Sequence, residues 1–369
     1  MILSALGVTP PLMWSEKTME TSVNLWTGPF EYGNPTGVAG TINRYAPRAA
    51  TACARQYETL FSRTPYSATA RTINALTEHG SASVAMTFQG SHWVVVVGAM
   101  GSGIPGSESD YSISGLWICN PGHNAPIEHV SYKAWLYLYL TGCANYGAEG
   151  FIIVSDARAA ERGSLAPAEP EPPPNTVISG DPVPVALAGA AENGLAEYFV
   201  GGIPDKNIFI ATEPAYDPYH LISFVMPNKT QNVIRLTESG AYLGASLGIP
   251  AGWPIDPTTK LDALADATLE GRGFLEESPA TTDLLRLIAS GSFTSTVMWH
   301  PSQLSVSPYD PFLRVSDGET SVYVSNTHAS NALLPPQGLP SRASISYGSG
   351  GAYATAYATA YGDPPFRGR

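Results

Sequence analysis

Charge is scarce in this chain. Only 14% of its 369 residues are charged, and the balance is acidic, with 19 Lys and Arg against 31 Asp and Glu for a formal net charge of −12. Proteins that grip a nucleic-acid backbone cluster Lys and Arg to neutralise phosphates. Here the basic residues are few and scattered, so no nucleic-acid partner is expected. Cysteine is scarcer still: Cys53, Cys119 and Cys143 are the complete set. That is too few for a disulfide framework and leaves one bridge with a free thiol, or none. Long apolar runs are missing as well. No stretch of 18 apolar residues occurs, so no membrane-spanning helix is expected. Residues 1–13 begin apolar but lack a basic n-region and are broken by Gly7 and Pro10, which does not match a signal peptide. The compartment is left open by these features.

Proline and glycine are plentiful, with 32 and 36 residues, and their distribution divides the chain. Residues 161–184, ERGSLAPAEPEPPPNTVISGDPVP, favour extended geometry and read as a linker. Residues 1–160 precede it as one mixed block of helix and strand patterns, and 185–340 follow as a second. Residues 341–369 hold the repeat AYATAYATAYG and read as a low-complexity tail. In the first block, helices are expected over Thr36–Tyr45, Cys53–Phe61 and Ser67–Glu78, the last with Ser67 as N-cap and Gly80 as terminator. Strands follow at Ser83–Phe88, Trp93–Val97, Leu116–Cys119 and Phe151–Val154, with a helix at Tyr132–Leu140. Gly101–Ser109 reads as a flexible loop. The second block reads as a helix over Ala186–Phe199, strands at Ile208–Ala211, Leu221–Met226 and Val233–Leu236, and a helix near Thr281–Ser290. Strands at Phe293–Trp299, Phe312–Ser316 and Ser321–Ser325 complete it. Tyr216-Asp217-Pro218-Tyr219 and Tyr309-Asp310-Pro311-Phe312 echo each other and read as turn chemistry.

The chemically informative segment is Gly90-Ser91-His92-Trp93-Val94-Val95-Val96-Val97-Gly98. A histidine at the mouth of a buried strand is held rigidly, which suits a general base. Downstream, Leu116-Trp117-Ile118-Cys119-Asn120-Pro121 sets an amide side chain at the end of what is expected to be a neighbouring strand. That amide can accept from the imidazole N–H and fix its tautomer. Trp93 and Trp117 are candidates to shield this bond and to line a substrate site.

These two strands together resemble the second half of papain-like cysteine peptidases, especially those that cleave bacteriocin leaders. The resemblance covers residues 1 to about 155. It implies an α+β fold with helices packed on an antiparallel sheet, followed here by a second α+β or β-rich accessory domain. It implies a peptide or protein substrate, hydrolysis of the peptide bond, and no cofactor. It also implies a bacterial source, cytoplasmic or secreted. His92 matches the family's base and Asn120 its orienting residue.

The nucleophile is the departure. Met1-Ile2-Leu3-Ser4-Ala5-Leu6-Gly7-Val8 looks like the last turns of the helix that carries the family's cysteine at its start. The cysteine, and the glutamine upstream of it, would then precede Met1. Two expectations follow: a chain that begins at an internal start, or a pseudopeptidase that binds peptides without cleaving them. Cys53 stands before His92 in the right order and has Arg55 nearby, but it lacks the family's sequence context and reads first as an ordinary thiol. Cys119 should face away from Asn120 on its strand, and Cys143 reads as packing. His123, Glu128 and His129 match no metal spacing and read as solvated loop residues; no metal site is expected.

Overall fold

The protein, described here from a computed structural model, is placed over residues 35–45, 57–88, 92–102, 112–120, 127–141, 150–158, 178, 180–212, 216–250, 258, 261–262, 279–301, 305 and 307–325. Helices are few and the strand ladders run antiparallel. The coarse α+β expectation therefore holds. No helix among these residues is long and apolar enough to cross a membrane. They fall into two compact units, one drawn from 1–121 and 132–170, the other from 122–131 and 171–339. The segment 122–131 thus belongs with the second unit, although the sequence pattern keeps it in the first block. Met1–Leu6, Cys53, Cys143 and the tail 341–369 lie outside the described residues.

In the first unit, helix α1 (Pro35–Tyr45) precedes strand β1 (Tyr57–Ser62), helix α2 (Pro65–His79) and strands β2 (Ser83–Thr87), β3 (His92–Ser102) and β4 (Ser112–Cys119). After β5 (Ile127–Ser131), which belongs to the other unit, come the short helix α3 (Tyr132–Ala134), a π-helical turn over Trp135–Tyr139, and strand β6 (Phe151–Asp156). The strands of this unit lie in the order β1-β6-β2-β3-β4. The helix expected over Cys53–Phe61 is corrected by β1. Tyr57, Thr59 and Phe61 favour the pleated surface, and the segment pairs residue for residue with β6 from Tyr57↔Asp156 to Ser62↔Phe151.

Helix α2 shows why its ends fall where they do. Thr64, not Ser67, is the N-cap: its side chain accepts from the Ser67 N–H at 3.1 Å, and Pro65 fills the first helical turn, where a missing N–H costs nothing. Gly80 ends the helix in a left-handed conformation at φ 57°, which a residue with a Cβ adopts only at a cost. The helix then lies against β6 and β3. Helix α1 covers another part of the sheet, with Ala39 and Ile42 packed on Tyr57, Val84 and Val154. Asn43 of α1 also clamps the start of β1, donating to the Tyr57 carbonyl at 2.8 Å and accepting from its N–H at 2.7 Å.

The second unit contains β5, helix α4 (Pro182–Glu192), a 3-10 turn (Ala196–Phe199) and strands β7 (Ile203–Ile210), β8 (Tyr219–Val225), β9 (Gln231–Thr237) and β10 (Tyr242–Ile249). Its strand order is β5-β10-β9-β8-β7. A second sheet, β11 (Thr294–Met298), β12 (Phe312–Ser316) and β13 (Ser321–Val324), packs with helix α5 (Pro279–Ser290) around Leu284, Leu287, Leu313 and Val315. The last residues of the expected linker turn out to be ordered secondary structure. Asp181 caps α4 by accepting from the Val183 N–H at 3.0 Å, and the prolines there stand in the first turn, where proline is tolerated. Strands β5 and β10 were not legible because each is broken in pattern, β5 by Glu128 and His129 and β10 by glycine.

Replacing Asn43 by Ala removes both bonds to the Tyr57 backbone. It should lower the stability of the first unit by about 1–3 kcal/mol, read as a lower urea midpoint with an unchanged slope.

Candidate active site

The site is built by strand register. Along β3 and β4, Val95 pairs with Cys119 and Val96 with Ile118. Continuing that register sets Asn120 across from Val94, two positions along β3 from His92. Side chains alternate between the two faces of a sheet, so His92, Val94, Ile118 and Asn120 share one face. The imidazole and the amide meet there: His92 Nε2 lies 2.7 Å from Asn120 Oδ1, across 28 residues of sequence. Both residues are buried, at 4% and 2% exposure.

An amide oxygen can only accept. Nε2 therefore carries the proton, which leaves the Nδ1 lone pair as the basic position of a neutral ring. Burial pushes the His92 imidazole down to about 4, and the Asn120 bond pulls it part of the way back up. At neutral pH the ring is thus an uncharged proton acceptor with a fixed tautomer. Phe88 stacks on it at a centroid distance of 6.2 Å and an interplanar angle of 28°. Tyr139 of the π-helical turn packs on Phe88 at 5.2 Å, and the neighbouring Trp135 donates its indole N–H to Thr69 of α2 at 2.9 Å.

The two tryptophans are placed elsewhere, which corrects the expectation that they shield the pair. Trp93 follows His92 and so points to the opposite face, where it packs against Met86 and Ile152 and against the cluster under α1. Trp117 is odd-numbered with Cys119 on β4 and takes that same opposite face. It lies against Gly98, where an added Cβ would meet its Cδ1 at 3.2 Å. The aromatic neighbour of the imidazole is instead Phe88, with Tyr139 packed behind it. A pattern search along the strands does not find them, because one stands just past the end of β2 and the other in an irregular helix. Cys119, the cysteine among the described residues, is in no disulfide, and alternation turns it away from His92, as expected. Cys53 lies outside the described residues.

Glu128 and His129 are not solvated loop residues. Both are fully buried in β5, and the His129 Nδ1 lies 2.9 Å from the Tyr242 hydroxyl. Arg235, also buried, packs over the rings of Tyr219 and Tyr309, 5.6 Å from each centroid. Those two tyrosines come from the two echoed tetrapeptides; in the second, the Asp310 N–H donates to the Ser307 carbonyl, closing a turn that ends at Asp310 instead of starting there. Among the described residues no group of three or more His, Cys, Asp or Glu is arranged to hold a metal ion. Compared with models of known protein families, with curated proteins and with solved structures, the chain finds no match.

Two outcomes follow from the buried imidazoles. Replacing Asn120 by Asp sets a carboxylate against Nε2 and should raise the His92 titration midpoint by at least about one pH unit, measured by NMR. The second concerns stability. Burial holds His92 and His129 at about 4 in the folded chain, against 6.5 for an ordinary histidine. The unfolded chain therefore takes up these protons first as the pH falls. Their contribution is intact above pH 6.5 and is lost between 6.5 and about 4, on the order of 3 kcal/mol for each histidine. Urea midpoints recorded across that window should decline with acidification, and less steeply in His129→Gln.

Proposed function

We propose that the first unit is a papain-like cysteine peptidase domain of the kind that includes bacteriocin-leader peptidases. In this reading His92 is its general base and Asn120 its orienting residue. The observation that carries this reading is the 2.7 Å bond between His92 Nε2 and Asn120 Oδ1 on adjacent buried strands. It supports the reading because thiol activation calls for a histidine and an amide in that order, tautomer and rigid setting. In that chemistry the lone pair on Nδ1 takes the thiol proton. The thiolate attacks the peptide carbonyl, and the imidazolium returns the proton to the leaving amine. Asn120 holds the ring through both transfers without itself gaining charge.

No thiol is assigned to that role. Cys119 faces away and Cys53 and Cys143 lie outside the described residues, so no thiol is set beside the base here, and the expectation is an inactive or nearly inactive chain. The same observation favours a second reading, in which the domain is a pseudopeptidase that binds an extended peptide or a protein without cleaving it.

Three measurements on the full chain separate these readings: cleavage of a mixed peptide library, labelling by a thiol-directed peptidase probe, and shifts of the His92 ring signals on adding extended peptides. The expected result is no cleavage and no labelling, with peptide-dependent shifts at His92. Labelling that disappears in both His92→Ala and Cys53→Ala would overturn the missing nucleophile and make Cys53 the attacking thiol. If no peptide perturbs His92 and none is cut, the peptidase-like reading fails.

A further inference from the structure

Two departures from regular backbone converge on one ring. Phe88 has φ +49°, one of two non-glycine residues with positive φ among those described. The other, Lys229, sits in a hairpin turn closed by its own N–H to the Met226 carbonyl and is exposed. Such a turn accommodates that conformation readily. Phe88 is different: it is bulky and only 2% exposed, and the left-handed region costs an L-residue about 1–2 kcal/mol. Strain of this size persists only where the surroundings fix it. Tyr139 packs on Phe88, 5.2 Å away, and Tyr139 stands in the second departure. The Leu140 N–H reaches back to the Trp135 carbonyl at 2.8 Å, the wide spacing of a π turn, a feature found often at functional sites. Trp135 ties that turn to α2 through Thr69, whose hydroxyl in turn donates to the Pro65 carbonyl at 2.7 Å.

We propose that Phe88 is a positioning residue for His92, and that the left-handed turn and the π turn exist to lay its ring on the face of the imidazole. The proposal rests on the reading of His92 as the base. A ring held only through Nε2 can still rock about that bond. A bulky ring 6.2 Å away and at 28° to it, within the range of offset aromatic pairs, limits that rocking from one side and leaves Nε2 to Asn120. The hairpin geometry accounts for the route: Thr87 and His92 are paired, and the Thr87 hydroxyl donates to the His92 carbonyl at 3.2 Å. Phe88, which follows Thr87, therefore starts beside the strand end that carries His92.

The test uses Phe88→Gly, Phe88→Leu and Phe88→Tyr in the full chain, with folding checked by circular dichroism and the His92 ring followed by NMR. Glycine deletes the ring and relieves the left-handed backbone, leucine deletes the ring and keeps the strain, so the pair separates the two effects. In Phe88→Gly the His92 midpoint should move up from about 4 by at least about one pH unit, and the minor ring tautomer should become visible. Phe88→Leu should shift the same way and serves if the glycine variant does not fold. Phe88→Tyr should keep the wild-type midpoint and tautomer. Unchanged midpoint and tautomer in the folded glycine or leucine variant would overturn the positioning role and leave the His92–Asn120 reading intact. A wild-type ring that is not protonated at Nε2 would defeat that reading itself.

Discussion

A hydrogen bond between two buried side chains on neighbouring strands is only as fixed as the register of those strands. A slip of one residue turns every side chain to the other face. In the first unit the register is set by a run of β-branched residues buried on both sides of β3, with Val94 and Val96 on one face and Val95 on the other. With that register in place, Asn120 arrives across from Val94, and the 2.7 Å contact to His92 needs no further adjustment of the backbone. The tautomer of the ring and the direction of its lone pair follow from this one placement, while its low proton affinity comes from burial, against the pull of the Asn120 bond.

The same alternation decides what the neighbouring residues do. It sends Trp93, Trp117 and Cys119 to the opposite face, and it leaves the cover of the imidazole to residues outside the strands. Phe88 stands beside the imidazole and Tyr139 behind Phe88, each at a departure from regular backbone geometry. A site assembled this way combines a regular scaffold, which fixes the polar pair, with aromatic neighbours carried on two local irregularities. An imidazole so enclosed is neutral at physiological pH. It can accept a proton from a group that comes to Nδ1, and a nearby thiolate would stabilise its charged form.

The polar pair was legible in the sequence because it depends on period-two alternation and on two short strands with clear stop signals. The dense valine run announced β3, and Asn120-Pro121-Gly122 announced the end of β4. Residue 57 onward was misread as helix because a six-residue edge strand bearing Glu58 carries little periodic signal; its pairing with β6 is a tertiary fact. The tryptophans were assigned by their sequence proximity to His92 and Asn120, and adjacency along a strand means opposite faces. Glu128 and His129 were read as loop because burial of a charged-type pair in a strand depends on what covers it. In the second unit, helix α4 begins inside a proline-rich stretch whose composition alone suggested a linker. There the capping carboxylate of Asp181 and the tolerance of a first turn for proline outweigh composition.

The central claim is the state of one ring. The most direct measurement is the pair of ¹⁵N chemical shifts of the His92 imidazole in the full chain at pH 7, assigned by comparison with His92→Gln. The account requires a neutral ring with the proton on Nε2 and a lone-pair shift at Nδ1, coupled to a slowly exchanging Nε2 proton. A ring protonated at Nδ1, or one averaging between tautomers as a solvent-exposed histidine does, would contradict it.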